Sequence, residues 1–390
     1  AVMLQRLFIF LLIFLILPDI YLYLRFIVHL TARRWLKILY WLPTFLLSTG
    51  LLYLVYFSNN AFAERHTQDI GWFSIFFFLF TAPKLLLFLC TVIGIPFHKW
   101  LRWPRTPFIC TGLTLAVVSI VMIIYGSFIG RTQFDVKEVT YSSSKLPSSF
   151  DGYRIVQLSD IHIGSWQGNA SAIQNLVNLV NEQHPDLIAF TGDLVNHRAI
   201  ELNDFQHILA GLKAKDGVYS ILGNHDYGPY FRWKNKQEQD DNLSDLQQRQ
   251  AAMGWKLLNN SHTILIQGND SIALIGVENE GEPPFSQYAD LPKAMQGTEG
   301  MFQILLSHNP THWRREVLPE SDIDLMLAGH THAMQLKLGN YSPSSYIYPE
   351  WSGMYLEGTR GLYVNVGIGY VGLPFRFGAW PEITVLTLRR

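Results

Sequence analysis

Cysteine is nearly missing from this 390-residue chain: Cys90 and Cys110 are the only two, and both fall inside long apolar runs. The C-terminal two thirds therefore holds neither a disulfide nor a thiolate metal site. Charge is also sparse, at 16% Asp, Glu, Lys and Arg, and it is unevenly spread. Residues 1–130 carry 10 basic and 3 acidic residues, whereas residues 131–390 carry 20 and 28. An acidic back half argues against a nucleic-acid-binding surface, which needs a basic stripe. Internal repeats and low-complexity tracts are lacking too.

The front of the chain is instead rich in Leu, Ile, Phe, Tyr and Trp. Four apolar runs stand out, Leu4 to Val28, Ile38 to Phe57, Gly71 to Ile95 and Thr106 to Ile129. Each approaches or exceeds the ~20 residues a helix needs to cross a bilayer. Pro18, Pro43 and Pro83 lie in or beside them, which membrane helices tolerate better than soluble ones. A soluble bundle or a cleaved signal peptide does not account for four such runs joined by short loops. Residues 1–130 are expected to form an α-helical four-span transmembrane region. Its first loop carries Arg33, Arg34 and Lys37, with Arg25 nearby, and its third carries Lys99, Arg102 and Arg105. The second has only Arg65 beside Glu64 and Asp69, and Arg6 precedes the first run. Basic loops stay cytoplasmic, so the part of the chain after the fourth span is expected on the opposite, extracytoplasmic face.

Residues 131–150 read as a first strand and a Ser-rich linker, and residues 151–390 as one further domain. Short buried strands are predicted at 153–158, 187–190, 217–222, 271–277, 302–306, 323–328, 362–366 and 382–388. Between the first two, Ile173, Leu176, Val177 and Val180 recur at helical spacing, with Ser171 as N-cap. Phe205, Ile208, Leu209 and Leu212 repeat that pattern in the next connection. Strands alternating with helices predict an α/β domain with largely parallel pairing. The strands are too many for one layer, so two packed sheets flanked by helices fit better.

Polar residues gather just past the strand ends. Asp160 and His162 follow the first strand, two apart and so on one side of an extended chain. Asp193 follows "LIAF", and Asn224, His225 and Asp226 follow "GVYSIL". His308 follows "FQILL", and His330 and His332 follow "IDLMLA". The carboxyl ends of parallel strands form one rim, the usual ligand site of open α/β sheets. A lone D-x-H carries little weight, and His184, His197, His207, His262 and His312 read as ordinary loop histidines. Five such pieces in order, each after an apolar strand, point to a metal site.

The motifs "SDIH", "TGDLV", "GNHD", "SHNP" and "GHTH" resemble those of the calcineurin-like metallophosphoesterase superfamily, in particular its membrane-anchored bacterial branch. The likeness runs over about residues 134–390. It implies a four-layer αββα metallophosphoesterase sandwich around a two-metal centre. Carried over by position, Asp160, His162, Asp193 and His332 hold a first ion, and Asp193 bridges to a second held by Asn224, His308 and His330. His225 is then the proton donor to the leaving oxygen, with Asp226 orienting its imidazole. One departure is visible: where many relatives read G-H-T-H-G-G-Q, this chain has Ala333 and Met334 before Gln335, which bears on substrate preference.

Phosphate-ester hydrolysis needs a nucleophile at neutral pH and neutralisation of phosphoryl charge, both of which a pair of cations supplies. Imidazole and oxygen donors suit Mn, Fe, Zn or Co, and Mn²⁺ is the expected pair. A hydrolase tethered to a bilayer meets lipid head groups at high effective concentration, so a lipid-linked or membrane-proximal phosphate ester or pyrophosphate is the expected substrate. Arg232, Trp233 and Lys234, inside an aromatic and basic stretch that also holds Tyr227, Tyr230, Phe231 and Lys236, are the expected substrate contacts, joined by 348–355. By the same resemblance, the bacterial inner membrane with a periplasmic catalytic domain is the expected location. Two alternatives are a nucleotide-diphosphate-lipid pyrophosphatase of the lipid A pathway type, whose cytosolic substrate conflicts with the outward topology, and a non-catalytic membrane receptor with a structural metal site.

Overall fold

The computed structural model describes the backbone of residues 2–56 and 67–390, and the side chains of residues 9–55 and 69–390. Most of the second inter-span loop, with Glu64 and Arg65, and the side chain of Arg6 lie outside the described residues. The chain divides into two units, one of residues 1–129 with Gly372–Phe375, the other of residues 130–371 with 376–390.

In the first unit the apolar runs become helices α1 (Val2–Leu22), α2 (Arg34–Tyr56), α3 (Thr67–Leu101) and α4 (Thr106–Phe128). A π-helical turn, Tyr23–Ile27, and a last turn, Val28–Leu30, extend α1. All four are long and apolar enough to cross a membrane, and apolar side chains such as Phe45, Ile38 and Val121 remain exposed. In water that surface would be untenable; in lipid it is the expected exterior. Asp19 is buried among these helices, where Lys84 Nζ lies 2.7 Å from its Oδ1. The hydroxyls of Thr44 and Tyr40 donate to the same carboxylate. An ion pair in hydrocarbon persists only when so fully satisfied.

The second unit holds two six-stranded sheets. The first is ordered β1 (Asp135–Ser142), β12 (Glu382–Arg389), β2 (Arg154–Leu158), β3 (Leu187–Phe190), β4 (Val218–Ser220), β5 (Trp255–Leu257). The second is ordered β10 (Gly353–Glu357), β11 (Arg360–Val364), β9 (Leu325–Ala328), β8 (Phe302–Leu306), β7 (Asp270–Gly276), β6 (Ser261–Gln267). Pairing is parallel along β2-β3-β4-β5 and β7-β8-β9-β11, with antiparallel partners β12, β6 and β10 beside these runs.

Burial explains the layering. Ile155, Leu187 and Tyr219 from one sheet meet Leu274, Ile304 and Leu327 from the other in a core between them. The alternate residues Val156, Ile188 and Phe190 turn outward onto α5 (Ala170–Glu182), α6 (Gln206–Leu209) and α7 (Lys236–Ala252). On the far side Ile275, Leu305 and Met326 pack on Leu291 of α8 (Leu291–Met295) and on Trp313. Strands covered on both faces read as continuous apolar runs, and the result is the four-layer αββα sandwich.

Two local readings need correction or completion. The N-cap of α5 is Asn169, two residues ahead of Ser171, whose hydroxyl donates to the Asn169 side chain instead. Strands β5, β6 and β10 also join the sheets. They sit at or next to sheet edges, where polar residues such as Lys256, His262 and Glu357 interrupt the apolar pattern.

Candidate metal centre

Asp160 and His162 leave β2, Asp193 leaves β3, Asn224 and His225 leave β4, His308 leaves β8, and His330 and His332 leave β9. Backbone hydrogen bonds knit these loops together. Asp160 N–H donates to Gly192 O (2.9 Å), His162 N–H to Asp193 O (3.1 Å) and Gly329 N–H to His308 O (2.9 Å). Across the two sheets, His330 N–H donates to Asp160 Oδ2 at 3.0 Å. Close approach depends on missing side chains: a Cβ on Gly329 would collide with Ser159 and Asp160, and one on Gly223 with Asp193.

The ligand-type residues themselves adopt left-handed backbone, with φ of 52° at Asp160, 46° at His162, 59° at Asp193, 71° at His330 and 50° at His332. Such conformations are uncommon for non-glycine residues and concentrate at functional sites. The same conformation continues through Ala333 (47°), Met334 (45°) and Gln335 (60°). Met334 is exposed, so Met334→Gly removes little packing. It relieves an αL cost of ~1–2 kcal/mol against ~0.5–1 kcal/mol of added chain entropy. A small rise in Tm is expected; a fall, measured by scanning calorimetry, would rule out stored strain.

The side chains converge. His162 Nε2 and His332 Nε2 lie 3.1 Å apart, and Asp160 Oδ1 is 3.2 Å from His332 Nε2. Asp193 Oδ2 lies 3.6 Å from His162 Nε2 and 3.2 Å from His308 Nε2, and His308 Nε2 is 3.3 Å from His330 Nδ1. Ligand-type atoms fall into three overlapping groups, each within 4.8 Å: Asp160, His162 and His332; His162, Asp193 and His225; and Asp193, His308 and His330. Asp193 belongs to two of them and shares His162 with the first. Asn224 enters the same wall through its neighbour His225, whose N–H donates to Asp193 Oδ1 at 2.8 Å.

These groups suit a cation. Asp160 Oδ1 and Asn224 Oδ1 are buried acceptors with no hydrogen-bond donor, a costly condition for a polar atom unless an ion completes it. Burial opposes ionisation of Asp160 and Asp193, but the neighbouring imidazoles, His332 for the first and His308 for the second, outweigh it and hold both carboxyls below their usual range. Burial likewise opposes a proton on His308, yet Asp193 draws it up to about 9. Burial, with the charge of His308 beside it, pushes His330 down to about 3. The pocket therefore calls for positive charge, which a proton supplies poorly and a divalent cation well.

Outer contacts aim the donors. His308 Nδ1 donates to Thr191 O (2.7 Å), and His330 Nε2 meets Tyr348 Oη (3.1 Å). Asn224 Nδ2 donates to Tyr230 Oη (3.0 Å), while its Oδ1 is the buried acceptor without a donor. Arg376, fully buried, donates to the carbonyls of Val366, Gly369 and Ala379 and stands 3.0 Å from His332 Nδ1. Such partners fix ring orientation in metal sites. The role of Arg376 went unread in the sequence, although it is the single charge between Arg360 and Glu382. A charge in that apolar tail needs a buried partner.

His225 Nδ1 donates to Asn196 O at 2.8 Å, and its ring lies 4.7 Å from that of His162 and 4.6 Å from Tyr230. His197, read as a loop histidine, is 6.0 Å from His225. Asp226 is a correction. It does not orient His225: its Oδ2 accepts from the N–H groups of Asp193 and Gly223 (both 2.9 Å), and its Oδ1 from Leu194 and Val195 (2.9 and 3.2 Å). The turn at Asn224–His225 points that carboxylate back under the Asp193 loop. Burial and Asp193 push it up to about 7 against the pull of those N–H groups.

The expected substrate contacts are placed differently from one another. Trp233 donates its indole N–H to Gly228 O (2.7 Å) and lies against Phe231, while Arg232 and Lys234 are exposed. The aromatic groups that touch the centre are Tyr230 beside His225, and Phe285 and Tyr348 beside His330.

Residues 153–334 match the family described as Calcineurin-like phosphoesterase, and residues 5–131 match "Probable Calcineurin-like phosphoesterase, transmembrane domain". An uncharacterised metallophosphoesterase of Bacillus subtilis, YkuE, is 31% identical over 281 residues, 68% of this chain and 89% of that protein. A zebrafish (Danio rerio) transmembrane protein with metallophosphoesterase domain is 32% identical over 284 residues, 70% of this chain and 62% of that protein, so this chain spans less than two thirds of its length. The Bos taurus protein of the same name is 29% identical over 328 residues, 78% and 71% of the two chains.

Proposed function

This chain belongs to the calcineurin-like phosphoesterase family and is integral to the membrane, and from that premise we propose that it is a dinuclear, metal-dependent phosphohydrolase acting on a membrane-proximal phosphate ester or pyrophosphate. The observation that carries the reading is that Asp193 Oδ2 lies within reach of both His162 and His308, so that Asp193 links the group around His162 to the group with His308 and His330. Asp160, His162, Asp193 and His332 would hold one ion, and Asp193, Asn224, His308 and His330 the other. Bound there, two divalent cations supply a nucleophile at neutral pH and neutralise phosphoryl charge. Mn²⁺ suits the mixed nitrogen and oxygen donors, as do Fe, Zn and Co.

The chain's own residues do the rest. His225 is fixed through Nδ1 by Asn196 O, so its Nε2 is the atom that hands a proton to the leaving oxygen. Tyr230, Phe285 and Tyr348 form an aromatic rim that favours an apolar group on the leaving side, consistent with a lipid-linked phosphate. A receptor with a purely structural ion would have no use for a proton donor beside it. The basic loops favour a catalytic unit on the extracytoplasmic face, the periplasmic one in a bacterial inner membrane; labelling of cysteines introduced after residue 131 in intact cells tests that.

The deciding assay follows p-nitrophenyl phosphate, its bis-ester and a phospholipid panel with purified full-length protein. A chelator should remove turnover, and added Mn²⁺ should restore it. Turnover that survives complete metal stripping would end this reading. His225→Ala should lower kcat by ~10²–10⁴-fold with metal content unchanged by elemental analysis. Full kcat in that variant would reassign the proton donor.

A further inference from the structure

Away from the metal centre, the helical unit contains a cavity of about 230 Å³ lined by α1, α3 and α4. Arg25 and Arg105 line it with Tyr21 and Thr91, and Phe26, Ile95 and Phe108 supply an apolar side. It lies at the end of the bundle that carries the basic loops, Arg33 to Lys37 and Lys99 to Arg105. Among the described residues, neither guanidinium is paired with a carboxylate. The described acidic residues of the spans are Asp19, engaged by Lys84 at 2.7 Å, and Asp69, in the first turn of α3 at the far end from Ile95. Arg105 Nε is buried without a hydrogen-bond partner. Arg25 is exposed and Arg105 half-buried at this end of the bundle, and two cations beside hydrocarbon favour an anion between them.

Two local features prepare the site. Arg25 and Phe26 lie in the π-helical turn Tyr23–Ile27, a distortion that widens a helix and is frequent at functional sites. Arg105 is the N-cap of the 23-residue α4, so the unpaired N–H groups and positive dipole end of that helix add to its charge. The volume is below the ~300–1,000 Å³ of pockets that enclose a whole drug-sized ligand. It matches a head group whose chains stay in the bilayer beside Phe26, Ile95 and Phe108.

We infer that this cavity binds the phosphate of an anionic phospholipid, with Arg25 and Arg105 as the charge-assisted donors. Bound there, the lipid joins α1 to the α3–α4 pair and makes the bundle responsive to the anionic content of its leaflet. The ligand is a structural one, separate from the substrate of the metal centre.

Native mass spectrometry of the full-length protein, supplied with phosphatidylglycerol, cardiolipin or phosphatidylcholine, tests this. Wild type should retain the two anionic lipids in preference to the zwitterionic one. R25Q/R105Q should reduce that retention by about 10–30-fold, while R25K/R105K keeps most of it and both variants keep wild-type p-nitrophenyl phosphatase activity as evidence of folding. Equal retention by wild type and R25Q/R105Q would overturn the inference. So would equal retention of anionic and zwitterionic lipids by wild type, a comparison that needs no variant to fold. Displacement of the lipid by inorganic phosphate at equal concentration would assign the site to free phosphate instead.

Discussion

Asp193→Asn should reduce kcat on p-nitrophenyl phosphate by on the order of 10³-fold or more, through loss of metal as well as of turnover. Asp193 serves three neighbours with two oxygens. Its Oδ2 faces His162 Nε2 and His308 Nε2 at 3.6 and 3.2 Å, and its Oδ1 takes the His225 N–H at 2.8 Å. Asparagine keeps the size but has one acceptor oxygen, so one of the two positions becomes a donor facing other donors. It also removes the negative charge that would hold two cations together. Because the shape survives, thermal stability should change little while metal content falls, and elemental analysis alongside kcat separates the two. A variant with near wild-type turnover and a full metal complement would show that Asp193 does not bridge.

Asp226→Ala should produce the largest loss of stability. Four backbone N–H groups, those of Asp193, Leu194, Val195 and Gly223, end on this carboxylate. Removing their acceptor in a fully buried place costs about 1–3 kcal/mol for each group left unpaired. Relaxation and water entry recover part of that, which leaves a loss of ~4 kcal/mol or more. For a unit of this size that lowers Tm by on the order of 10 °C. Asp226→Asn should lie in between, since its amide oxygen satisfies one pair of donors and its NH₂ confronts the other. Activity should fall in both because the Asp193 loop loses its anchor, and it should fall with rising temperature before the rest of the fold unfolds. A Tm within 2 °C of wild type for Asp226→Ala, by calorimetry, would contradict this account.

Asp226 also shows where reading a linear chain reaches its limit. An acid next to a histidine suggests a pair, yet one turn of backbone sends neighbouring side chains in opposite directions. His225 found its partner 29 positions away at Asn196, and Asp226 served the Asp193 loop. Arg376 behind His332 was silent for the same reason, and Tyr230 and Tyr348, read as part of a substrate-contact stretch, gave no sign that they meet Asn224 and His330. Their contacts join segments that sequence spacing does not relate. The short edge strands were silent for another: a half-exposed strand mixes polar and apolar residues, and its identity comes from the neighbour it pairs with.

By itself the amino-acid order determined the four spans, the central strands and the chemistry of the strand-end residues. Hydrophobic length and periodicity are local properties, and donor type is written in each side chain. Tertiary structure alone decided which of those donors face one another, which way each imidazole is turned, and which charges lie buried without partners. Those outcomes depend on distances between segments far apart along the chain, set within each unit by how its own sheets or helices pack.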